Sequence, residues 1–477
     1  MENVLDHSFL PERYLEIICS IPHGSFHEKP LSDYLVQFAK ERGLRYKQYP
    51  NWNVIIYKSA SPGYEDHEPI MLQSHIDMVC EKEPGYEHDF EKDPLSLYVE
   101  DGILRAHGTT LGADDGVGVA YMLAFLEDDS LHHPPLECVF TVQEEVGLIG
   151  AKELAFEDIS AKRMIGLDDM GGSTSYVSSC GSQRILLEKA YKFSCQTMPG
   201  YHLSIGGLEG GHSGVCINKE RGNAIKLAAR VLFEMTKSYE IAIGEIHGGG
   251  KDNVIATNFD ITFSSNADFD TLNTIVMDMQ SIFQSELEFS DPDVTLTFAP
   301  CECKETLSTE DSTELIRCLC LLPHGFRHKS MKIQNLTTVS ENLANVQLTG
   351  GKVTIRYFSR SEQGSFLKMM ANEIAILSDL FGFTMTESDP EPGWKYVENS
   401  EIRKKLFDAY HAITGSEMRP IAEHGGLETG FISGGIPGID IVTCGPFCEG
   451  YHTTKEFLDL SSFRTIYEVL KYTLKSL

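Results

Sequence analysis

The sequence predicts an α/β protein that carries an additional α+β segment. Three observations predict it. Apolar β-like runs alternate with helical patterns over the first part of the chain. The pattern changes character after about residue 190 and returns near 390. The length, 477 residues, is too great for one simple core, while the 42% hydrophobic content is that of an ordinary folded protein.

The N-terminal stretch MENVLDHSFLPERYLEII carries acids inside its apolar residues. It therefore reads as an amphipathic helix with Leu10 and Pro11 at its start, not as a secretory signal. β-like runs are expected at 53–57, 69–73, 136–142 and 164–167. A helix is expected at 117–126, where Val117, Ala120, Met122, Leu123 and Leu126 recur at helical spacing. A new series opens with SCQTMPGYHLSIGGLEGGHSG. It continues through a helix at 221–237, a strand at 253–263, a helix at 271–286, a strand at 352–358 and a helix at 364–381. This reads as strand–helix–strand twice over. A Pro/Gly turn at 390–394 leads back to a helix at 400–414, a strand at 438–442 and a last helix at 461–477. The expected division is one discontinuous domain, 1–190 with 391–477, and an inserted domain, 191–390.

The 70 Asp+Glu against 40 Lys+Arg give a formal net charge of −30. That balance argues against nucleic acid and anionic membranes as partners, because phosphate binding needs clustered cations. No apolar run approaches the roughly 18 residues of a membrane span. The twelve cysteines include Cys301/Cys303 and Cys318/Cys320, which are C-x-C pairs and not the C-x₂-C of a structural zinc site. Reduced thiols and a cytoplasmic location are the expectation.

Five phrases place acids or imidazoles just after β-like runs. In QSHIDM, His75 and Asp77 project to one side of an extended strand, so the carboxylate is placed to fix the ring tautomer. In LGADDG, Asp114 and Asp115 sit in a Gly-flanked turn before a helix. In TVQEEVG, Glu144 and Glu145 end an apolar run. In GLDDMGG, Asp168 follows another, and in CEGYHTT, His452 lies in a Gly/Pro loop. Each has a plainer reading alone: a strand histidine, a helix cap, solvated strand ends, a surface histidine. Together they weigh more, because open α/β sheets form sites at the carboxyl ends of their strands. The donors are oxygen and nitrogen, suited to Zn²⁺, Mn²⁺ or Co²⁺. Five protein ligands exceed the three of a single catalytic zinc, and one bridging carboxylate would share them between two ions.

The order HxD, GADDG, EE, D, H resembles the M20 metallopeptidase family, and within it the aminoacyl-histidine dipeptidase branch. The phrases SHIDMVCEK, HDFEKDPL, RAHGTTLGADDGVGVA, EEVGLIGA, GLEGGHSG and HGGLETG carry that resemblance over nearly the whole chain. It implies a zinc-peptidase-like catalytic domain with a mixed central sheet flanked by helices, plus an inserted α+β lid and dimerisation domain. It implies two divalent metal ions, Zn²⁺ with Co²⁺ or Mn²⁺ as alternatives. His75 and Asp168 would hold one and Glu145 and His452 the other, with Asp114 bridging. Asp77 would orient His75, and Glu144 would be the general base toward a water made acidic by the metals. The Asp114–Asp115 peptide is expected to be cis. Many relatives of this branch have Asn where Asp115 stands, and Asp115 is expected to point away from the metals.

The resemblance also implies that His212, in GLEGGHSG, stabilises the transition state in the partner subunit's site of a homodimer. On residue type alone, His212 is equally read as incidental to a tight turn and Arg360 as a solvated strand-end charge. By resemblance, Asn253 and Arg360 bind substrate, the guanidinium fork suiting a peptide carboxylate, and Glu428 meets the substrate α-amine. The implied activity is hydrolysis of unblocked dipeptides, Xaa-His (carnosine-like) peptides among them. The alternatives are an N-acyl amino acid amidohydrolase of the same fold and a non-catalytic, metal-binding dimeric scaffold.

Overall fold

The computed structural model describes residues 3–334 and 336–477; the first two residues of the N-terminal stretch lie outside them. The chain forms two compact units. The first runs to Ser179 and resumes with Trp394–Ala422 and Leu427–Leu477; the second comprises Cys180–Gly393 and Glu423–Gly426. The first boundary thus falls before residue 190, and a tetrapeptide between two segments of the first unit belongs to the second.

Among the described residues, the first unit is built on a six-stranded sheet in the order Arg45–Gln48, Val54–Lys58, Leu136–Thr141, Ile70–His75, Arg163–Gly166, Asp440–Thr443. The last four run parallel; Val54–Lys58 pairs antiparallel with Leu136–Thr141, and Arg45–Gln48 antiparallel with Val54–Lys58. The inner strands read as unbroken apolar runs because both faces are covered. Val54, Ile56, Ile70, Leu72, Cys138, Phe140, Ile165 and Val442 pack into one core with the helices Leu10–Cys19, Lys29–Glu41, Ala113–Glu127, Glu401–Thr414 and Leu460–Ser476. The alternate residues Ile55, Met71, Val139, Met164 and Ile441 pack into a second core with Ile432 of the helix Glu428–Gly435 and Ile436, which caps it. Period-two alternation therefore assigns Gln73, His75 and Thr141 to this second face.

Among its described residues, the second unit is built on one nine-stranded sheet, with Ser194–Cys195 and Glu305–Thr306 paired beside it, not on two strand–helix–strand units. Its main path is Thr295–Cys301, Gly200–Gly206, Phe259–Ser265, Ile241–Gly249, Thr337–Thr349, Lys352–Ser361, Gly181–Ala190, Thr384–Glu387, with Gly325–Lys329 paired to Thr337–Thr349. Every pairing is antiparallel. The helices Ala224–Thr236, Phe269–Glu286, Thr309–Leu321 and Gly364–Phe381 supply its core together with the sheet. The strand expected at 253–263 begins only at Phe259. The backbone before it is drawn off to the His212 loop: Asn253 O accepts from Ser213 N at 2.8 Å, and Ile255 N donates to Gly211 O at 3.0 Å.

The tetrapeptide Glu423–Gly426 is held in the second unit by His424, whose Nδ1 lies 2.9 Å from Cys180 Sγ and Nε2 2.7 Å from Ser340 Oγ. All three residues are buried. Burial pushes the imidazole down to about 3, so the ring is neutral and bonds one neighbour with each nitrogen.

In the first unit, three residues from the first two helices and their caps converge on Glu127, at the last turn of Ala113–Glu127. Its carboxylate accepts from Arg13, from Tyr14 and from Arg42. Burial pushes this carboxyl up, but the hydrogen bonds from Tyr14, Arg42 and Arg13 outweigh it and hold it down at about 2. A depressed pKa makes the contribution complete above the unfolded carboxyl's value and loses it as pH falls toward 2. Glu127→Gln is therefore expected to destabilise the protein by about 1 kcal/mol at neutral pH. Urea unfolding at a series of pH values should show that gap narrowing on acidification below about pH 4.5; a gap that widens would refute the pairing.

Candidate metal centre

The acids and imidazoles singled out in the sequence gather at the carboxyl ends of the parallel strands. His75 ends Ile70–His75; Glu144 and Glu145 follow Leu136–Thr141; Asp168 lies two residues past Arg163–Gly166. Glu144 and Glu145 are not on extended backbone. The strand stops at Thr141, Gln143 takes a positive φ of 53°, and Gly147 and Leu148 N–H both return to Glu144 O at 2.9 Å. The divergence of the two glutamates is made by this turn.

Asp114 and Asp115 divide their work. Both depart from helical φ/ψ inside Ala113–Glu127, and the peptide between them is cis, as the resemblance implied. Asp115 is fully buried and caps the helix that follows: its Oδ1 accepts from Gly118 N at 3.2 Å. Gly118 is required there, because a Cβ would lie 2.7 Å from both Asp115 Oδ2 and Leu167 Cβ. Asp114 instead presents both carboxylate oxygens to imidazoles, Oδ1 at 3.1 Å from His75 Nε2 and Oδ2 at 3.3 Å from His452 Nε2. His452 also lies 2.9 Å from Glu145 Oε2.

Three sets of donors lie with their ligand atoms within 4.8 Å of one another: His75/Asp114/Asp168, His75/Glu144/Glu145 and Asp114/Glu145/His452. Asp114 is common to the first and the third. The residues fit divalent cations on two further grounds. Every donor is a carboxylate oxygen or an imidazole nitrogen, the set that suits borderline dications. Glu145 Oε1 is also buried with no hydrogen-bond partner, a costly state for a carboxylate oxygen unless a cation meets it.

Asp77 is arranged differently from the expectation. The nearest group to His75 Nδ1 is the Asp77 carbonyl, at 3.0 Å, with the carboxylate at 3.5 Å. A carbonyl only accepts, so Nδ1 carries the proton and Nε2 is left free to face Asp114. The Asp77 carboxylate mainly holds backbone: Oδ1 accepts from Glu144 N at 2.9 Å, and Oδ2 from Glu145 N at 3.3 Å and Ser25 Oγ at 2.8 Å.

Two acids complete the surroundings. Glu428 is 2% exposed; its Oε2 accepts from Thr141 Oγ1 at 2.8 Å and from Gln73, on the His75 face, while Oε1 has no partner. Glu456, which the sequence reading did not single out, accepts four successive backbone N–H groups, from Leu111, Gly112, Ala113 and Asp114, at 2.7–3.3 Å. No local motif flags it; only its position four residues after His452 hints at a role.

Burial dominates the electrostatics. It pushes Asp168 up to about 8, with Asp114 adding to it, and Glu428 up to about 7. It pushes Glu144 well above the carboxylate range, reinforced by Asp168, Glu428 and Glu145 against His75. Asp114 goes the other way: the two imidazoles overcome burial and hold it well below that range. Hydrogen bonds to Asp114 and Glu145 raise His452 to about 10. Without metal, protons on the imidazoles are the counter-ions of the cluster.

In the second unit, Arg360 is buried, with a guanidinium nitrogen 3.2 Å from His212 Nε2 and Nε 3.4 Å from Ser213 Oγ. Asn253 lies against them through its carbonyl. The predicted residues His212, Asn253 and Arg360 thus form one cluster, and the others form the cluster of the first unit.

The sequence profile of Peptidase family M20/M25/M40 matches residues 71–476. The chain belongs to this family. The M20 peptidase is 31% identical over 467 residues to the cytosol non-specific dipeptidase of Escherichia coli (strain K12), with 96% of each chain covered. It superimposes on the aminoacylhistidine dipeptidase of Vibrio alginolyticus with a TM-score of 0.93 and 28% identity, covering 100% of this chain and 98% of the other. Aminopeptidase PepT of Bacillus cereus ATCC 10987 shares the fold at a TM-score of 0.56 and 17% identity, over 99% of each chain. An M20 peptidase is a hydrolase that works with divalent metal ions. Among the described residues, no helix is long and apolar enough to cross a membrane.

The capping role of Asp115 is testable on the metal-free M20 peptidase. Asp115→Asn keeps the acceptor for Gly118 N and removes a buried carboxyl, so it should unfold in urea at no lower concentration than the parent. Asp115→Ala loses the cap and should cost about 1 kcal/mol. A greater loss for Asn than for Ala would exclude the cap.

Proposed function

We propose that this chain is a metal-dependent dipeptidase acting on unblocked dipeptides, Xaa-His peptides among them. The observation that carries the reading is the two-sided placement of Asp114, one oxygen toward His75 and the other toward His452, with Glu144 beside them. The names of the two relatives matched over nearly their whole length point the same way.

His75 and Asp168 would hold one ion, and Glu145 and His452 the other, with Asp114 shared; Zn²⁺ is the ion we assign first, with Co²⁺ or Mn²⁺ as alternatives. Such ions polarise a peptide carbonyl and bring the pKa of a water toward neutrality. Glu144 is left to handle protons. Its carboxylate takes the proton of the attacking water and passes it to the leaving amine nitrogen, base in the first half and acid in the second. Burial raises the pKa of the Glu144 carboxyl in the metal-free protein, which favours its taking up a proton. Asp77, by holding the Glu144 and Glu145 N–H groups, keeps the base and the ligand on their separate courses.

We assign recognition of the peptide carboxylate to Arg360 and of its amide to Asn253. The homodimer, with His212 serving the partner subunit's site, and a cytoplasmic location belong to the same proposal. The former rests on the GLEGGHSG resemblance and the latter on the name of the Escherichia coli relative.

Elemental analysis beside a substrate panel tests the reading. Gly-His and β-Ala-His should be cleaved, N-acetyl amino acids should not, and a chelator should abolish turnover. Preference for the acetylated series would replace the dipeptidase with an N-acyl amino acid amidohydrolase. Glu144→Ala should retain metal while kcat falls about 10²–10⁴-fold. His75→Ala should lose metal, and normal metal content in it would refute the ligand assignment.

A further inference from the structure

We propose that Glu456 is a positioning residue for the metal centre: its carboxylate ties the backbone that carries Asp114 to the loop that carries His452, and thereby sets the ion position those two residues share with Glu145. The inference rests on the metal-dependent reading above and adds a residue to it.

The geometry is specific. Glu456 is 4% exposed. Oε2 accepts from Leu111 N at 2.7 Å and Gly112 N at 3.1 Å; Oε1 accepts from Ala113 N at 2.9 Å and Asp114 N at 3.3 Å. These N–H groups precede the first regular turn of the helix and have no intrahelical partner. A single carboxylate satisfies all four, with both of its oxygens engaged. Gly112 lets the segment curl around it: φ is +69°, and a Cβ there would lie 2.9 Å from Met78 Sδ.

Glu456 is also tied to the other side of the site. It ends the loop that presents His452, itself at a positive φ of 63°. Thr453 N donates to Gly450 O at 3.2 Å, Thr453 Oγ1 donates to the same carbonyl at 2.6 Å, and Glu456 N donates to Thr453 O at 3.2 Å. The loop is closed on itself, so His452 and Glu456 move together. One side chain therefore couples the loop that offers His452 to the loop that offers Asp114. The position that shares Asp114, Glu145 and His452 depends on this coupling; the His75/Asp168 position is carried by strands and depends on it less.

Glu456→Gln is the informative change, since it keeps the size but turns one acceptor into an N–H₂ facing N–H donors. Metal-free wild-type and variant would be titrated with Zn²⁺ by calorimetry, and Gly-His turnover measured at limiting and excess Zn²⁺. Wild type is expected to bind two ions. The variant should bind the first ion as wild type does and the second about 10–100-fold more weakly. Its kcat should fall with KM nearly unchanged, and excess Zn²⁺ should restore part of the loss. Wild-type affinity at both positions in the variant, an equal loss at both, or a loss in KM alone would overturn the proposal. Fewer than two ions on wild type would overturn the di-metal reading and this inference with it, whereas a failure confined to the variant overturns the inference only. Should the variant not fold, amide hydrogen exchange on metal-free wild type decides: protected amides at 111–114 are expected, and exchange as fast as in exposed loops would overturn the assignment.

Discussion

Like charges gathered where water is scarce repel one another far more strongly than on a surface, and burying each one carries its own desolvation cost. In the first unit Asp114, Glu144, Glu145, Asp168 and Glu428 are brought into one such region, where His75 and His452 offset them. Nothing in the local sequence would keep five acids together. They stay because each is fixed to an element that cannot relax away: strand ends inside a sheet covered on both faces, and the first turn of a helix packed into the larger core. Bound divalent cations would relieve the charge excess that the scaffold enforces.

Two carboxylates outside the three donor sets hold backbone. Asp77 grips the amides of Glu144 and Glu145, and Glu456 grips those from Leu111 to Asp114. In both cases an acid near the centre binds the backbone that bears other acids, which converts a would-be repeller into a fastener. The excess of negative charge in the neighbourhood is thus partly spent on hydrogen bonds to N–H groups, whose partial positive charge no side chain could supply so compactly.

Part of the cluster was legible in the sequence because several of its members follow an apolar run, where composition changes abruptly: His75 after IMLQ, Asp168 after MIGL, the two glutamates after VFTV. What period and composition could not convey was direction. The Asp77 carboxylate turned toward backbone amides and left its carbonyl to the imidazole, a choice made by the turn at Gln143 that no local residue type announces. Glu456 stayed invisible because its partners are main-chain groups more than three hundred positions away, and main-chain groups have no sequence signature. In the second unit the helices at 271–286 and 364–381 followed from their periodicity. The strand at 352–358 did too, but the order in which the long antiparallel strands pair did not, because it is set by contacts remote along the chain.

The tetrapeptide containing His424 bears on how the polypeptide could be divided. A fragment cut at 180 and 393 would contain every strand and helix of the second unit yet lack its imidazole plug. Cys180 and Ser340 would then face an unfilled hole in the protein interior. The unit's independence is architectural but not genetic: four residues encoded far downstream are stitched into it, so the gene offers no pair of cut points that releases it whole.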